Sequence, residues 1–254
     1  MKGKKRDLYN EVVTTMRNEA HEYSTWRCIE YKPTLPEVPA DSLVPYLQRG
    51  QRALEIGCNR GRMAMWLASH GLDVLGIDIN ADAILQARTA VKVSNATACF
   101  IEGDFLDQTD LGRFDLVLMV RVLTCFSQLK DWHALLSQSL ECLAADGLIY
   151  IHDFIFSPEN DSYRERYAEG AGRGWRAGNI AVPGRDGSVM FIAHHHTIEE
   201  ISEITSPYRR VFLNTHDSLS LNGNVCRMFE FLGKRQATPA GNFSAVRSQD
   251  DSME

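Results

Sequence analysis

The stretch RALEIGCNRGRMAMWLASHGLDVLGID, residues 52–78, decides the fold. An apolar run, Ala53 to Ile56, leads into a turn bounded by Gly57 and Gly61. Apolar residues at helical spacing follow, and a second apolar run ends in Asp78. A strand, a glycine turn, a helix and a second strand in this order predict a βαβ unit, and therefore an α/β fold with a parallel sheet.

The same unit predicts a nucleoside site where its first strand ends. Glycines let backbone N–H groups approach a ligand closely, and the N-terminus of the following helix adds a partial positive charge. Asp78 lies about 20 residues after the first glycine, where a carboxylate at the end of the second strand accepts hydrogen bonds from ribose hydroxyls.

The spacing of the glycines disfavours two common nucleotide sites. The dinucleotide fingerprint G-x-G-x-x-G is replaced by Gly57-x-x-x-Gly61, and the G-K-S/T of a phosphate-binding loop is absent. Glu55 precedes the first glycine by two residues, where a nicotinamide-binding loop usually has a small residue. A carboxylate at that position suits a cationic ligand group or orders the loop. A nicotinamide-dependent oxidoreductase is therefore a disfavoured alternative.

At these residues the chain resembles the class I, Rossmann-like S-adenosylmethionine-dependent methyltransferases. Their acid-x-Gly-x-Gly-x-Gly motif is matched by Glu55, Gly57 and Gly61, with Asn59 in place of the middle glycine, and their ribose-binding acid is matched by Asp78. The resemblance covers about residues 50–235. It implies a Rossmann-like seven-stranded, mostly parallel sheet with an antiparallel terminal hairpin and helices on both faces, and S-adenosyl-L-methionine as the cofactor.

The resemblance also implies the positions of the cofactor contacts. In the family, an acid and an apolar residue after the third strand border the adenine, and Asp104 and Phe105 match them. Arg121 follows the apolar strand Phe114–Val120 and is expected to bind the cofactor's carboxylate or an anionic substrate, with a structural salt bridge as the alternative. The predicted cofactor contacts are Glu55, Gly57, Cys58, Asn59, Gly61, Asp78, Ile79, Asp104, Phe105, Arg121, Trp26 and Arg27.

Residues 1–45 are predicted to form a helical lid and a connector. A helical pattern extends from Asp7 to about Ile29, and four prolines follow before residue 46. In the methyltransferases an N-terminal helix often lies over the cofactor. Arg27 would then face the methionine carboxylate, and Tyr23 or Trp26 the pocket; the alternative is that these aromatic residues anchor the helix to the core.

The second half of the chain contains the candidate substrate residues. Residues 157–190 are rich in glycine, charge and aromatic side chains and are predicted to be a substrate-covering insertion, with a mobile surface loop as the alternative. The predicted substrate contacts are Tyr23, Tyr163, Tyr167, Trp175 and His196. His152, at the end of the fifth strand, and His195 are the candidate bases, because imidazole accepts a proton near neutral pH. For His195 and His196 the alternative is a buried structural histidine whose hydrogen bonds are satisfied.

No metal site is predicted. His194, His195 and His196 are adjacent, but neighbours on an extended chain point to opposite faces, and no other ligand cluster is evident in the sequence. The six cysteines show no metal-ligand spacing and suit a reducing cytosol.

Composition narrows the classes of partner. The net charge of −6 disfavours nucleic acid, and no apolar stretch is long enough for a membrane span. The N-terminus lacks the apolar segment of a signal peptide, so a cytoplasmic location is predicted. The N-P-P-Y motif and the Pro-Cys pair of enzymes that act on macromolecules or cytosine are absent. Together these features favour a small-molecule substrate.

The predicted organisation is a lid and connector at 1–45, a methyltransferase domain at 46–235 and a disordered tail at 236–254. The last two strands are predicted to meet at an Asn222-Gly223 turn. The predicted function is methyl transfer to an oxygen or nitrogen atom of a small molecule. The alternative from another class is a non-catalytic, methyltransferase-like partner subunit, which Asn59 and Arg121 motivate. The oligomeric state is left open.

Overall fold

The computed structural model describes residues 41–94, 97–183, 189–220 and 224–236. The predicted lid helix, with Tyr23, Trp26 and Arg27, lies outside these residues, as do the predicted Asn222-Gly223 turn and positions 237–254 of the predicted tail.

The main sheet has seven strands. In chain order the strands of the structure are β1 Arg52–Ile56, β2 Asp73–Asp78, β3 Ala98–Glu102, β4 Phe114–Val120, β5 Leu143–Phe154, β6 Asn179–Pro183, β7 Val189–His194, β8 Tyr208–Leu219 and β9 Val225–Arg235. The main sheet has the order β3-β2-β1-β4-β5-β9-β8. Its first five strands pair in parallel, and β9 is antiparallel to both β5 and β8. The predicted Rossmann-like sheet with its antiparallel terminal hairpin is confirmed.

Helices cover both faces of this sheet, as predicted. They are α1 Arg62–Ser69, α2 Ala81–Ser94, α3 Leu129–Cys142, α4 Arg164–Gly172 and α5 Ile198–Thr205. On one face, α1 and α2 bury apolar residues such as Leu67 and Ile84. On the other, α3 and α5 bury Trp132, Leu135 and Ile201. Alternate residues of the central strands belong to the two cores, which is why these strands are apolar on both faces. None of the described helices is long and apolar enough to cross a membrane.

The segment 157–190 has regular structure where it is described. It contains α4 and β6, and β7 begins at its end. Strands β6 and β7 form a separate two-stranded antiparallel sheet, in which Ile180 pairs with Ala193. The apolar run from Val189 to Ala193, which predicts a short strand, lies in β7, and its partner strand lies within the insertion.

The start of β5 differs from the sequence prediction. In the sequence, Ala145, Asp146 and Gly147 predict a glycine turn, and the apolar run from Leu148 to Phe154 predicts a strand after it. Instead, the strand begins at Leu143, which pairs with Phe114, and the register shifts before Leu148 pairs with Leu116. The extra residues are accommodated as an irregularity within the strand rather than as a separate turn.

Candidate functional site

Gly57 and Gly61 bound the loop that joins β1 to α1. Their φ angles are 69° and 73°, in the left-handed region that side chains with a Cβ disfavour. A Cβ at Gly57 would lie 2.7 Å from Cγ2 of Val122, and a Cβ at Gly61 would lie 2.4 Å from Cζ of Phe100. Both positions therefore require glycine for its backbone freedom and for the space that a side chain would fill.

Asp78 is joined directly to this loop. Its Oδ2 accepts a hydrogen bond from the backbone N–H of Asn59 at 2.7 Å, and its Oδ1 accepts one from the N–H of Asn80 at 2.8 Å. Asn59, the residue that replaces the family's middle glycine, has a φ of 49°. Burial raises the pKa of Asp78, while the two N–H groups act in the opposite direction. The structure thus brings the glycine loop and the predicted ribose-binding acid together.

Glu55 lies beneath the loop on β1 and is 4% exposed. Among the described residues, Oε2 has no hydrogen-bond partner. Burial and the negative charge of Asp78 raise the pKa of Glu55 to about 8, against the opposing charge of Arg62. A buried carboxyl group that lacks a hydrogen-bond or charge partner at one oxygen favours the binding of a cationic ligand beside the loop.

We expect Glu55→Gln to flatten the dependence of stability on pH. The folded-state pKa of Glu55, about 8, lies above its ordinary 4.5. The protonated carboxyl group therefore stabilises the fold fully below pH 4.5, and this contribution is lost as the pH rises through 8. Glutamine has the same size and does not ionise, so the variant should exceed the parent by about 1–4 kcal/mol in free energy of unfolding at pH 8.

Urea unfolding of the ligand-free protein at pH 4.5 and pH 8 measures this difference. Glu102→Gln, at an exposed carboxylate that ends β3, is the matched control and should leave the slope unchanged. Equal pH slopes for the parent and Glu55→Gln would contradict the assignment of a raised pKa to Glu55.

The predicted adenine contacts follow β3. The side chain of Asp104 accepts a hydrogen bond from the N–H of Leu106 at 3.0 Å and caps the short 3-10 helix Phe105–Asp107. Asp104 and Ile79 are partly exposed, whereas Phe105 is 4% exposed and packs into the core beside α3. Cys58, also predicted as a cofactor contact, is 3% exposed within the loop. The ring of Phe105 therefore belongs to the interior, and its predicted role against the adenine stays a prediction.

Arg121 is the first residue after β4 and has an unusual backbone, with a φ of 58°. Its N–H donates to the carbonyl oxygen of His152 at 2.7 Å. Its Nη2 donates to the carbonyl oxygen of Leu219 at 3.3 Å, and Cζ lies 5.7 Å from the ring centroid of Phe154. Burial lowers the pKa of Arg121, and Nε has no partner within the described part of the chain.

His152 is fully buried beside a histidine that the sequence analysis did not single out. Its Nε2 lies 3.2 Å from Nε2 of His216, and the two rings stack with centroids 5.2 Å apart. Burial, together with the charges of Arg121 and His216, lowers the pKa of His152 to about 3, so the ring is neutral at physiological pH. Its Nδ1 has no hydrogen-bond partner among residues that the structure describes. No motif marks His216, because the pairing arises only when β8 closes the sheet.

The aromatic residues of the insertion gather around His195. The hydroxyl of Tyr167 hydrogen-bonds Nδ1 of His195 at 2.6 Å. The ring of Phe154 stacks on His195 at 4.7 Å, and Tyr163 meets it edge-on at 4.8 Å. Burial lowers the pKa of His195 to about 3. Trp175 lies apart from this group and is partly exposed, with the guanidinium of Arg173 5.2 Å from its ring centroid.

His194 and His196 point to the same side of the chain, opposite to His195, because they are two residues apart on an extended backbone. Together with Glu200 they place ligand-type atoms within 4.8 Å of one another. The carboxylate of Glu200, however, is bonded to Nε2 of His194 at 2.8 Å and to the guanidinium of Arg176. A cation would have to displace these bonds, so the expectation of no metal remains a prediction.

His196 itself lies in the interior and is fully buried. Its ring packs against Trp132 with centroids 4.8 Å apart and against Phe229 at 6.0 Å. Neither ring nitrogen has a hydrogen-bond partner within the described ranges. The structure thus separates His196 from Tyr163 and Tyr167, with which it was grouped as a predicted substrate contact.

Comparison with known sequences identifies a methyltransferase domain within the chain. Residues 54–149 match a family profile described as a methyltransferase domain. The ubiquinone biosynthesis O-methyltransferase of Glaesserella parasuis is 32% identical over 108 residues, which cover 40% of this chain and 44% of that protein. The chain spans about half or less of the length of the curated relatives it matches.

Solved structures share the fold at low sequence identity. A SAM-dependent methyltransferase from Methanosarcina mazei superposes with a TM-score of 0.72 at 24% identity, over 79% of this chain and 99% of that one. The 1,6-didemethyltoxoflavin-N1-methyltransferase of Burkholderia thailandensis, solved with S-adenosylhomocysteine, gives 0.64 at 13% identity over 90% of each chain. Residues 54–149 therefore match a methyltransferase domain, and the sheet that contains them has the fold of a SAM-dependent methyltransferase of known structure.

Proposed function

We propose that this protein binds S-adenosylmethionine at the carboxyl ends of β1 and β2 and transfers its methyl group to an oxygen or nitrogen atom of a small molecule. The observation that supports this most directly is the hydrogen bond, 2.7 Å long, from the N–H of Asn59 to Asp78. It fixes the glycine loop against the acid, so that backbone N–H donors and a carboxylate converge on one ligand. This combination suits a nucleoside with free ribose hydroxyls.

The residues present fit such a cofactor. Asp78 would accept hydrogen bonds from the ribose hydroxyls, and the loop from Gly57 to Gly61 would admit the ligand close to its backbone. Glu55, whose carboxyl group is under-compensated, suits the cationic end of the ligand. Asp104 and Ile79, partly exposed beside them, would border the base. When bound, the cofactor supplies a methyl group on a sulfonium whose leaving group is a neutral thioether.

The protein's main contribution is then to hold the acceptor in line, which can supply on the order of 7–11 kcal/mol. A base is needed only for an acceptor that holds its proton at neutral pH. Nδ1 of His152 is the better candidate, since Nδ1 of His195 is already bonded to Tyr167. The charge of Arg121 disfavours an imidazolium at His152. Nε2 of His152 lies 3.2 Å from Nε2 of His216, to which it can pass its own proton when Nδ1 accepts one.

The net charge of −6 supports a small-molecule acceptor over nucleic acid. The names of the relatives from Glaesserella parasuis and Burkholderia thailandensis point in the same direction. We further propose that residues 46–235 form the catalytic domain and that the protein acts in the cytoplasm. Residues 157–190 would cover the acceptor. Residues 1–45 would cover the cofactor, with Trp26 and Arg27 contacting the cofactor and Tyr23 contacting the acceptor.

Calorimetry with S-adenosylhomocysteine tests the binding step, and we expect a micromolar dissociation constant. Transfer is tested separately, by incubating the protein and methyl-tritiated S-adenosylmethionine with the small-molecule, protein and RNA fractions of a cell extract. Label should enter the small-molecule fraction. The absence of heat with both the cofactor and its demethylated product would refute the proposal. Binding without transfer to any fraction would favour the non-catalytic alternative.

A further inference from the structure

We propose that Arg121 binds a carboxylate group of the methyl acceptor, and that the acceptor is an aryl carboxylate. This inference rests on the proposed function. It assigns Arg121 the role of holding the acceptor. The sequence alone allowed three roles for Arg121: binding the cofactor's carboxylate, binding an anionic substrate, or forming a structural salt bridge.

The position of Arg121 places its side chain beside β5 and β8. Ligands of open α/β sheets lie beyond the carboxyl ends of the strands, and Arg121 follows the carboxyl end of β4. Its Nη2 contacts the carbonyl oxygen of Leu219 on β8, and its Cζ lies over Phe154 on β5. The guanidinium is therefore turned toward strands on the opposite side of β4 from Glu55 and Asp78. We therefore assign that side of the site to the acceptor.

The charge of Arg121 is poorly compensated. A desolvated guanidinium is costly unless an anion pairs with it. In the described part of the chain Arg121 forms no ion pair, and the carbonyl of Leu219 is the acceptor for its guanidinium. Asp153 attracts it electrostatically. The two oxygens of Asp153, however, accept hydrogen bonds from the N–H groups of Thr124 and Phe154. Arg62 adds repulsion.

The backbone of Arg121 is also held in a costly conformation. A non-glycine residue in the left-handed region costs roughly 1–2 kcal/mol, and Arg121 has a φ of 58°. The hydrogen bond from its N–H to His152 fixes this conformation at 2.7 Å. Strain of this kind is concentrated at ligand sites, where the surrounding structure maintains it.

The surroundings of Arg121 favour an aromatic body for the anion. The ring of Phe154 lies beside the guanidinium. Tyr163 lies close enough to affect the pKa of Arg121 electrostatically. His152 and His216 lie nearby and provide a proton acceptor for a second substituent of the ring. For a hydroxyl acceptor, the oxygen forms a bond to the methyl carbon as the carbon–sulfur bond breaks. The sulfur retains the electron pair. The hydroxyl proton passes to Nδ1 of His152 as Nε2 of His152 passes its own proton to Nε2 of His216, so that no imidazolium remains at His152.

The test uses the full chain saturated with S-adenosylhomocysteine, with benzoate as the probe and benzamide as its neutral counterpart. We expect benzoate to bind in calorimetry and to raise the melting temperature, and benzamide to do neither. Arg121→Gln should weaken benzoate binding at least about tenfold, and Arg121→Lys should restore part of it. Arg209→Gln, at an exposed arginine of β8, should bind benzoate as the parent does.

A second arm separates the acceptor's carboxylate from that of the cofactor. S-adenosylhomocysteine has an amino-acid carboxylate and 5′-methylthioadenosine has none. We expect Arg121→Gln to bind each within about twofold of the parent. A selective loss of affinity for S-adenosylhomocysteine would overturn the inference in favour of a cofactor contact. Equal binding of benzoate and benzamide, or of benzoate by the parent and Arg121→Gln, would also overturn it. If the parent fails to bind S-adenosylhomocysteine, the proposed function fails instead.

Discussion

Asp78→Ala is expected to lower the affinity for S-adenosylhomocysteine by about two to four orders of magnitude. Each hydrogen bond to a charged group contributes roughly 1.5–3 kcal/mol, and about 1.4 kcal/mol corresponds to a tenfold change in affinity. The variant removes the carboxylate proposed to accept from both ribose hydroxyls. It also removes the acceptor for the N–H of Asn59, which holds the loop in place at 2.7 Å. Calorimetry of the folded variant measures the loss.

Asp73→Ala is the matched control for this experiment. Asp73 is the first residue of β2 and Asp78 is the last. Asp73 is exposed at the amino end of the strand, away from the glycine loop. Its removal should leave the affinity within about twofold of the parent. An Asp78→Ala protein that binds the ligand as the parent does would place the nucleoside elsewhere and refute the proposed site.

Gly61→Ala is expected to lower the free energy of unfolding by about 2–5 kcal/mol. The left-handed backbone at a φ of 73° costs an L-residue roughly 1–2 kcal/mol. The new Cβ would lie 2.4 Å from Cζ of Phe100, which must move within a packed core at a cost of about 1–3 kcal/mol. The loop would shift with it, so we also expect cofactor binding to be lost. Urea unfolding and calorimetry test the two effects.

Two other glycines of the chain serve as controls that separate the cost of the left-handed backbone from the cost of the clash with Phe100. Gly50 has a φ of 83° and no heavy atom within 4 Å of an added Cβ, so Gly50→Ala should show the backbone cost alone. Gly172 ends α4 without a left-handed backbone and has equally open surroundings. Gly172→Ala should be neutral or stabilising by up to about 1 kcal/mol. A Gly61→Ala protein no less stable than Gly50→Ala would contradict the predicted clash with Phe100.

Local patterns predicted the framework of the site correctly. The apolar runs of β1 and β2, the glycines between them and the terminal acid all lie within residues 52–78. The sequence pattern after Asp82 predicts a helix from Ala83 to Val93, and helix α2 spans Ala81–Ser94. Such features are readable because the residues that form each turn, cap or strand are neighbours in the chain, where periodicity and backbone preference act directly.

The positions of individual side chains were harder to predict from the sequence. Phe105, predicted to border the adenine, packs in the core, and His196, predicted to contact the substrate, packs against Trp132. Both roles stay predictions. Apolar or aromatic character alone does not distinguish these two locations. The strand β5 began at Leu143 rather than Leu148, because its register is set by pairing with β4 and not by its own residues.

The sequence by itself determined the class of fold, the order of its strands and helices, and the loop and acid that suit a nucleoside, since all of these depend on residues close together in the chain. Only the tertiary structure decided the surroundings of His152 and Arg121. His152 meets His216 across 64 residues of sequence, and Arg121 reaches Leu219 across 98. These contacts form when β8 and β9 close the sheet, and that closure depends on burial and pairing over the whole domain, which no local pattern records.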